Sequence, residues 1–179
     1  MTWADSLRAT CRGDGALAEA VIHAVQTLLD HDAYLLFADV NERTVTHRLA
    51  VYVEQAFPGW DVDCEYNRDG HDPKEIAFGS GDDAEHGSRV FPDVIVHKRG
   101  TADNHVVFEL KKSNNFEPDD RDFEKLRGYC HQLGYQHGVF IRLVAARQHR
   151  AGLHLRIGDD EVLAARVPGA DARCRLIRF

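Results

Sequence analysis

Apolar residues that recur every three or four positions predict three helices in this chain. The first covers about residues 16–29, and the second covers about 41–57, with Asp39 or Asn41 as a favourable N-cap residue. The third covers about 120–133 and has an apolar face of the same helical period. Because each helix has one apolar side, all three are expected to pack against another part of the fold.

Alternating apolar and polar residues, together with short apolar runs, predict strands around the third helix. The strands cover about 60–66, 93–97, 105–111 and 138–144, and a long polar loop is expected at 67–89. The order is therefore helix, strand, strand, strand, helix, strand. Such an order predicts an α/β fold with a mixed sheet flanked by helices.

The length of 179 residues predicts a single domain. Its core is expected at about 41–144, after an N-terminal helix at 16–29 and before a C-terminal β extension at 145–179 with short strands at 153–157 and 174–177. Hydrophobic residues make up 44% and charged residues 28%, which is typical of a soluble globular protein. Without a long apolar run or an apolar leader, we expect a cytoplasmic protein with no membrane partner.

Cysteine and histidine spacing argues against a zinc protein. The four cysteines, at positions 11, 64, 130 and 174, include no C-x-x-C pair, so reduced and mostly buried thiols are expected. The eleven histidines include no H-E-x-x-H sequence. Any metal site is therefore expected to use oxygen ligands.

The net charge of −7 argues against non-specific coating of nucleic acid, because phosphate contacts normally come from Lys and Arg. The charge is uneven, however. Residues 142–179 contain eight arginines and four acidic residues. This distribution leaves room for a local groove lined by arginine.

The strand at His105–Lys111 carries the first candidate chemistry. Side chains alternate between the faces of a strand, so Glu109 and Lys111 share one face while Phe108 and Leu110 share the other. Charges at the end of an otherwise apolar strand cost desolvation free energy unless water or an ion compensates. The pattern therefore indicates a cleft at this end of the strand.

Pro92 fixes the start of the preceding strand and places Asp93 there. If the two strands are antiparallel, Asp93 lies beside Glu109 and Lys111. Two carboxylates and a lysine suit Mg²⁺ or Mn²⁺, which polarises a phosphoryl oxygen and activates a bound water. The lysine would orient that water and stabilise charge that develops on phosphorus.

Two segments of the chain together resemble the active-site motif of the PD-(D/E)XK nuclease superfamily: Pro92-Asp93 and Glu109-Leu110-Lys111. This superfamily includes restriction endonucleases and Holliday-junction resolvases. The family's common core of helix, three strands, helix and strand matches the predicted order over more than half of the chain. The resemblance implies a restriction-endonuclease-like fold and Mg²⁺-dependent hydrolysis of nucleic acid, most readily DNA, with Mn²⁺ as a substitute.

The resemblance also assigns roles. It implies that Asp93 and Glu109 are metal ligands, that the backbone carbonyl of Leu110 is a third, and that Lys111 is the catalytic lysine. Family members often add an acid from the first core helix, and Glu42 is the best match; its alternative role is a favourable acid in the helix's first turn. A homodimer through the first predicted helix is a further family expectation, and membership of a larger nucleic-acid-processing or defence complex goes with the alternative of a non-catalytic binding module.

Three other residues are candidate nucleic-acid contacts: Asn114, Lys125 and Arg142. Their alternative is solvent-exposed polarity. Two rival interpretations of the whole pattern remain open. Glu109 and Lys111 could form a surface cross-strand pair, or the domain could bind nucleic acid or protein without cleaving it. RNA and branched DNA also remain open as substrates.

Overall fold

The computed structural model describes residues 2–11, 13–69, 72–78, 87–112, 114–143 and 176–178. The described helices, in chain order, are α1 (Trp3–Thr10), α2 (Gly15–Phe37), α3 (Glu42–Ala56) and α4 (Asp120–Gln132). The described strands are β1 (Asp61–Cys64), β2 (Arg68–Asp69), β3 (Asp72–Pro73), β4 (Glu75–Ile76), β5 (Ser88–Arg89), β6 (Val94–His97), β7 (Asn104–Lys112), β8 (His137–Leu143) and β9 (Leu176–Arg178).

Five of these strands form a mixed sheet in the order β1-β6-β7-β8-β9. β6 pairs antiparallel with both β1 and β7, whereas β8 pairs parallel with β7 and β9. The α/β class and the mixed sheet are observed, and from α3 to β8 the strands of this sheet follow the predicted order of helix, three strands, helix and strand. The parallel step from β7 to β8 is made through α4, as a crossover connection requires.

Helices cover both faces of the sheet. On one face, Phe108 and Leu110 of β7 belong to the larger core cluster, which also contains Leu28 of α2 and Leu49 of α3. On the other face, Val107 packs in a smaller cluster with residues of α4, among them Leu126 and Tyr129. The alternation predicted for β7 is therefore confirmed, and its Glu109 and Lys111 side belongs to the α4 face.

Two N-terminal features differ from the prediction. Helix α1 was not predicted; Thr2 and Asp5 form a capping box at its start. Helix α2 continues to Phe37 rather than ending near residue 29, with a non-helical residue at Asp32. The Asp32 carboxylate accepts hydrogen bonds from Arg48 Nε at 2.8 Å and from the Tyr52 hydroxyl at 2.5 Å. These contacts with α3 stabilise Asp32 inside α2, at a position where an aspartate would otherwise favour the end of the helix.

The N-terminal boundary of α3 is confirmed, because the Asn41 side chain accepts from the Thr44 amide at 2.8 Å. The region predicted as a long loop, 67–89, instead contains two short antiparallel pairs, β2 with β3 and β4 with β5. Buried Ile76 of β4 packs so closely on α4 that a Cβ at Gly128 would lie 2.8 Å from Ile76 Cδ1. A glycine in this helix interior is therefore explained by the close approach of β4.

Several remaining predictions concern the thiols and the C-terminal region. The thiols of Cys11 and Cys130 are buried, as expected, but the thiol of Cys64 is exposed. The predicted strand at 153–157 and Cys174 lie outside the described residues, whereas the strand predicted at 174–177 overlaps β9. In the described part of the chain, the helices are too short or too polar to cross a bilayer.

Candidate functional site

The candidate site is built on an uncovered backbone edge at the C-terminal end of β7. β6 pairs with β7 in antiparallel register, as predicted, but covers this edge only as far as Phe108. Beyond that point, the Leu110 amide donates to Asp93 Oδ2 at 2.7 Å, and the Lys112 amide donates to Glu42 Oε2 at 2.9 Å. Two carboxylates from different elements thus bind backbone groups that a neighbouring strand would otherwise satisfy.

The same pattern fixes the direction of the Leu110 carbonyl. In an antiparallel ladder, the N–H and C=O of one residue face the same neighbouring strand. Because the Leu110 N–H faces Asp93, the Leu110 carbonyl faces that edge as well. A backbone oxygen and the Asp93 carboxylate are therefore available on one side of β7.

Glu109 projects onto the α4 face and is almost fully buried, with 2% of its surface exposed. Its Oε1 accepts from the Tyr129 hydroxyl at 3.0 Å, and its Oε2 accepts from Lys125 Nζ, also at 3.0 Å. Asp93, by contrast, is only partly buried. The pair therefore combines one enclosed carboxylate with one that solvent can reach.

Burial and nearby negative charge raise the pKa of both acids. Burial, and then the nearby Asp93 charge, raise the pKa of Glu109 to about 8 against the opposing effect of Lys125 and Tyr129. Burial raises the pKa of Asp93 to about 6, opposed by the hydrogen bond from the Leu110 amide. Glu42 and Asp122 add to this rise through their negative charge. A cation bound between these groups would favour their ionised forms.

Lys111 shares the face of Glu109 but bonds elsewhere. Its Nζ donates to Asp122 Oδ2 at 2.8 Å and to the Pro118 carbonyl at 3.2 Å. The lysine that contacts Glu109 is Lys125 of α4, which also lies 3.6 Å from Asp122 Oδ1. Burial alone would lower the pKa of Lys125, but Glu109, together with Asp122 and Asp93, more than compensates and raises it.

The other predicted polar residues tie the loop after β7 to the rest of the site. Asn114 donates to Asp39 Oδ1 at 2.8 Å, and the same oxygen accepts from Lys112 Nζ. Arg142 of β8 donates to Asp119 Oδ1, at the N-cap position of α4. Asn114, Lys125 and Arg142 were all predicted to contact nucleic acid, and the structure places each of them against a carboxylate of the protein itself.

Sequence reasoning thus brought Asp93, Glu109, Leu110 and Glu42 to one end of β7, but it missed the acids that bind the lysines. Asp39, Asp119 and Asp122 were not selected. Asp122 had a detectable signal, because residues three apart on a helix lie on the same side, which pairs it with Lys125. Tyr129 follows Lys125 by four residues and lies on that side as well. The α4 contribution to the site was therefore present in the sequence as a helical stripe.

Two carboxylates and a carbonyl, from Asp93, Glu109 and Leu110, form a set of hard oxygen donors. Mg²⁺ commonly uses one or two protein carboxylates and takes its remaining ligands from water and substrate phosphate. Among the residues that the structure describes, no three His, Cys, Asp or Glu side chains are grouped closely enough to hold a metal. The donors of Asp93, Glu109 and Leu110 would leave the other positions around such an ion to water and substrate.

Comparisons of the chain with protein-family models, with curated proteins and with solved structures find no match.

Proposed function

We propose that this protein is a Mg²⁺-dependent nuclease that hydrolyses phosphodiester bonds, with DNA as its substrate. The observation that carries the proposal is that two carboxyl groups with raised pKa values, those of Asp93 and Glu109, lie beside the open edge of β7. Like charges at close range are unfavourable without a counterion, and strongly shifted carboxyl groups are frequent at catalytic sites.

Asp93, Glu109 and the Leu110 carbonyl would hold the ion, with Mn²⁺ as a substitute. When bound, the ion supplies Lewis-acid polarisation of a phosphoryl oxygen and acidifies a bound water. Glu42 binds the Lys112 amide and so fixes the end of β7 relative to α3. The negative charge of Glu42 also acts on Asp93, which favours a cation at this position.

The family resemblance assigns one lysine to the site, whereas in this proposal two lysines, Lys111 and Lys125, contribute to it. Lys111 is the proposed catalytic lysine, and Asp122 and the Pro118 carbonyl hold its Nζ at the N-terminal end of α4. Lys125 neutralises Glu109 and is itself close to Asp122. A lysine held in place needs little reorganisation when negative charge develops on phosphorus, which is how fixed cations accelerate such reactions.

The proposal extends to the finer fold assignment. The run α3, β1, β6, β7, α4 and β8 has the order of the restriction-endonuclease-like core. Pro92-Asp93 stands where β6 begins, and Glu109-Leu110-Lys111 stands where β7 loses its β6 partner. These coincidences support membership of the PD-(D/E)XK superfamily as a proposal.

The test is a cleavage assay with purified protein on plasmid, linear duplex and single-stranded DNA, in Mg²⁺, Mn²⁺ or EDTA. The variants are Asp93→Asn and Glu109→Gln, and the matched control is Glu54→Gln, an exposed glutamate on α3. We expect cleavage by wild type and the control only with a divalent ion. Loss of one ligand should reduce the rate by at least about a hundredfold.

Cleavage that continues in EDTA, or at the wild-type rate in Glu109→Gln, would contradict this assignment. A protein that binds nucleic acid but cleaves none in either metal would instead fit the non-catalytic alternative. That alternative is favoured by one observation, namely that Lys111, Lys112 and Lys125 are all bound to carboxylates of the protein.

A further inference from the structure

Two exposed aromatic side chains lie close in sequence to residues of the candidate site. Among the described residues, three large hydrophobic side chains are exposed: Tyr34 at 74%, Phe91 at 53% and Phe116 at 92%. Phe91 lies two residues before Asp93, and Phe116 lies in the loop between β7 and α4. Tyr34 lies in the last turn of α2, which leads into Asp39. All three therefore belong to segments that enter the site.

The backbone on either side of Phe116 is held in place. On one side, the Asn115 amide donates to the Lys112 carbonyl at 2.9 Å. On the other side, the Pro118 carbonyl accepts from Lys111 Nζ at 3.2 Å. Two residues of chain span at most about 7 Å, so the Phe116 backbone lies within that distance of the Pro118 backbone. A fully exposed ring is thus presented from a fixed loop beside the proposed catalytic lysine.

Phe91 has a similar setting on the other side of β7. The next residue, Pro92, is buried, and its carbonyl accepts from the Glu65 amide at 3.0 Å. Asp93 follows and bonds to the Leu110 amide. Phe91 and Phe116, which we call the aromatic rim, therefore lie on two different chain segments, one leading into Asp93 and the other bonded to Lys111.

The excess of carboxyl groups around the aromatic rim disfavours the binding of duplex DNA. The cationic side chains Lys111, Lys112, Lys125 and Arg142 are each bound to a carboxylate. Six carboxyl groups accompany these four cations: those of Asp39, Glu42, Asp93, Glu109, Asp119 and Asp122. Duplex DNA carries one charge per roughly 1.7 Å of axis, twice the density of one strand. A single strand meets less repulsion here.

We propose that the site takes unpaired nucleotides, as a single strand or a frayed end, whose bases stack on the aromatic rim. This inference rests on the proposed nuclease function and specifies its substrate. Every base has an aromatic face, so stacking provides affinity without the surplus of positive charge that a phosphate-binding groove needs. The bond to be cleaved then lies between two stacked nucleotides and opposite Asp93 and Glu109.

The test measures binding separately from cleavage. Fluorescence anisotropy with labelled single-stranded DNA, single-stranded RNA and duplex DNA is recorded in EDTA, where cleavage is blocked. The double variant Phe91→Leu/Phe116→Leu keeps apolar bulk but loses both aromatic faces, and Phe91→Trp/Phe116→Trp retains them. Metal-dependent cleavage of the same oligonucleotides is measured at saturating and subsaturating concentrations.

We expect wild type to bind a single strand at least tenfold more tightly than duplex. The leucine variant should bind it about tenfold to a hundredfold more weakly per stacked base, and the tryptophan variant should retain affinity. The leucine variant should raise KM far more than it lowers kcat. Equal binding of duplex and single strand, or unchanged binding by the leucine variant, would overturn the substrate inference while leaving the nuclease proposal intact. Rim-dependent binding without cleavage in any metal would instead defeat the nuclease proposal and leave the rim as a binding surface.

Discussion

β7 has two halves, residues 104–108 and residues 109–112. Both are similarly shielded from solvent, but the first is mainly apolar and the second carries ionisable side chains. In the first half, Val106, Val107 and Phe108 are apolar and are paired with strands on both edges. In the second half, Glu109, Lys111 and Lys112 are ionisable yet have no more than 6% of their surface exposed. Here β8 covers one edge, while side-chain carboxylates bind the other.

This difference shows that the second half of β7 stabilises the fold less than the first half does. Burying Phe108 is favourable in itself, whereas a buried charge is tolerated only with partners. Each charge of the second half has such a partner: Glu109 has Lys125, Lys111 has Asp122 and Lys112 has Asp39. An apolar strand end would be simpler to stabilise. Such an arrangement is what a site selected for chemistry rather than stability would show.

The largest expected effect is on the apolar half. Phe108→Ala should lower the free energy of unfolding by about 3–5 kcal/mol, because a fully buried ring is replaced by a cavity. Urea titration followed by circular dichroism measures the change. The metal affinity of the protein that remains folded should be unchanged, since the ring lies on the opposite face from Glu109. A loss of affinity in the folded fraction would show that the two halves are not separable.

Glu109→Gln should have the opposite effect on stability. Folded Glu109 keeps its proton up to about pH 8, whereas the unfolded chain releases it near the ordinary pKa of 4.5. The stability that wild type has at acidic pH is therefore lost as the pH rises from about 4.5 to about 8. The glutamine variant cannot ionise, so at pH 8 without metal it should be more stable by a few kcal/mol.

Thermal melts in EDTA at pH 5, 6, 7 and 8 give this comparison directly. Wild type should lose stability relative to Glu109→Gln across the series, and Mg²⁺ should restore it for wild type alone. Parallel pH curves for the two proteins would show that Glu109 ionises normally and that its burial carries no cost.

Substitutions of Lys111 and Lys125 should have smaller effects, and these effects should differ between the two lysines. Lys111→Ala should lower kcat about tenfold to a hundredfold with little change in metal affinity, because its Nζ contacts Asp122 rather than a proposed ligand. Lys125→Ala should instead change metal affinity and its pH dependence, since Lys125 bonds to Glu109. Arg127→Ala, at an exposed position of the same helix, is the matched control. If the phenotypes are exchanged, Lys125 is the catalytic lysine.

The local sequence pattern was sufficient to predict the secondary structure around the site. Strand alternation placed Glu109 and Lys111 on one face, and the N-cap preference of Asn41 located the start of α3 next to Glu42. The continuation of α2 through Asp32 was not predictable in this way, because its partners Arg48 and Tyr52 lie 16 and 20 residues later in sequence. Such a contact exists only after α2 and α3 have packed together.

The partner of Lys111 was unpredictable for a related reason. A lysine side chain has several rotatable bonds, so its strand position limits only the region that its Nζ can reach. Lys111 contacts Asp122 because α4 crosses that region, and the place beside Glu109 is taken by Lys125. Sequence reasoning therefore located the carboxylates, which sit close to the backbone, more reliably than the ammonium groups.

The most direct test of the central claim is a Mn²⁺ titration followed by electron paramagnetic resonance, which reports the free ion. We predict one site in wild type and in the Glu54→Gln control, displaced by Mg²⁺ and tighter at pH 8 than at pH 6 because Asp93 and Glu109 must release protons. Asp93→Asn and Glu109→Gln should each bind at least tenfold more weakly. Wild-type Mn²⁺ affinity in both variants would show that these two carboxylates hold no metal.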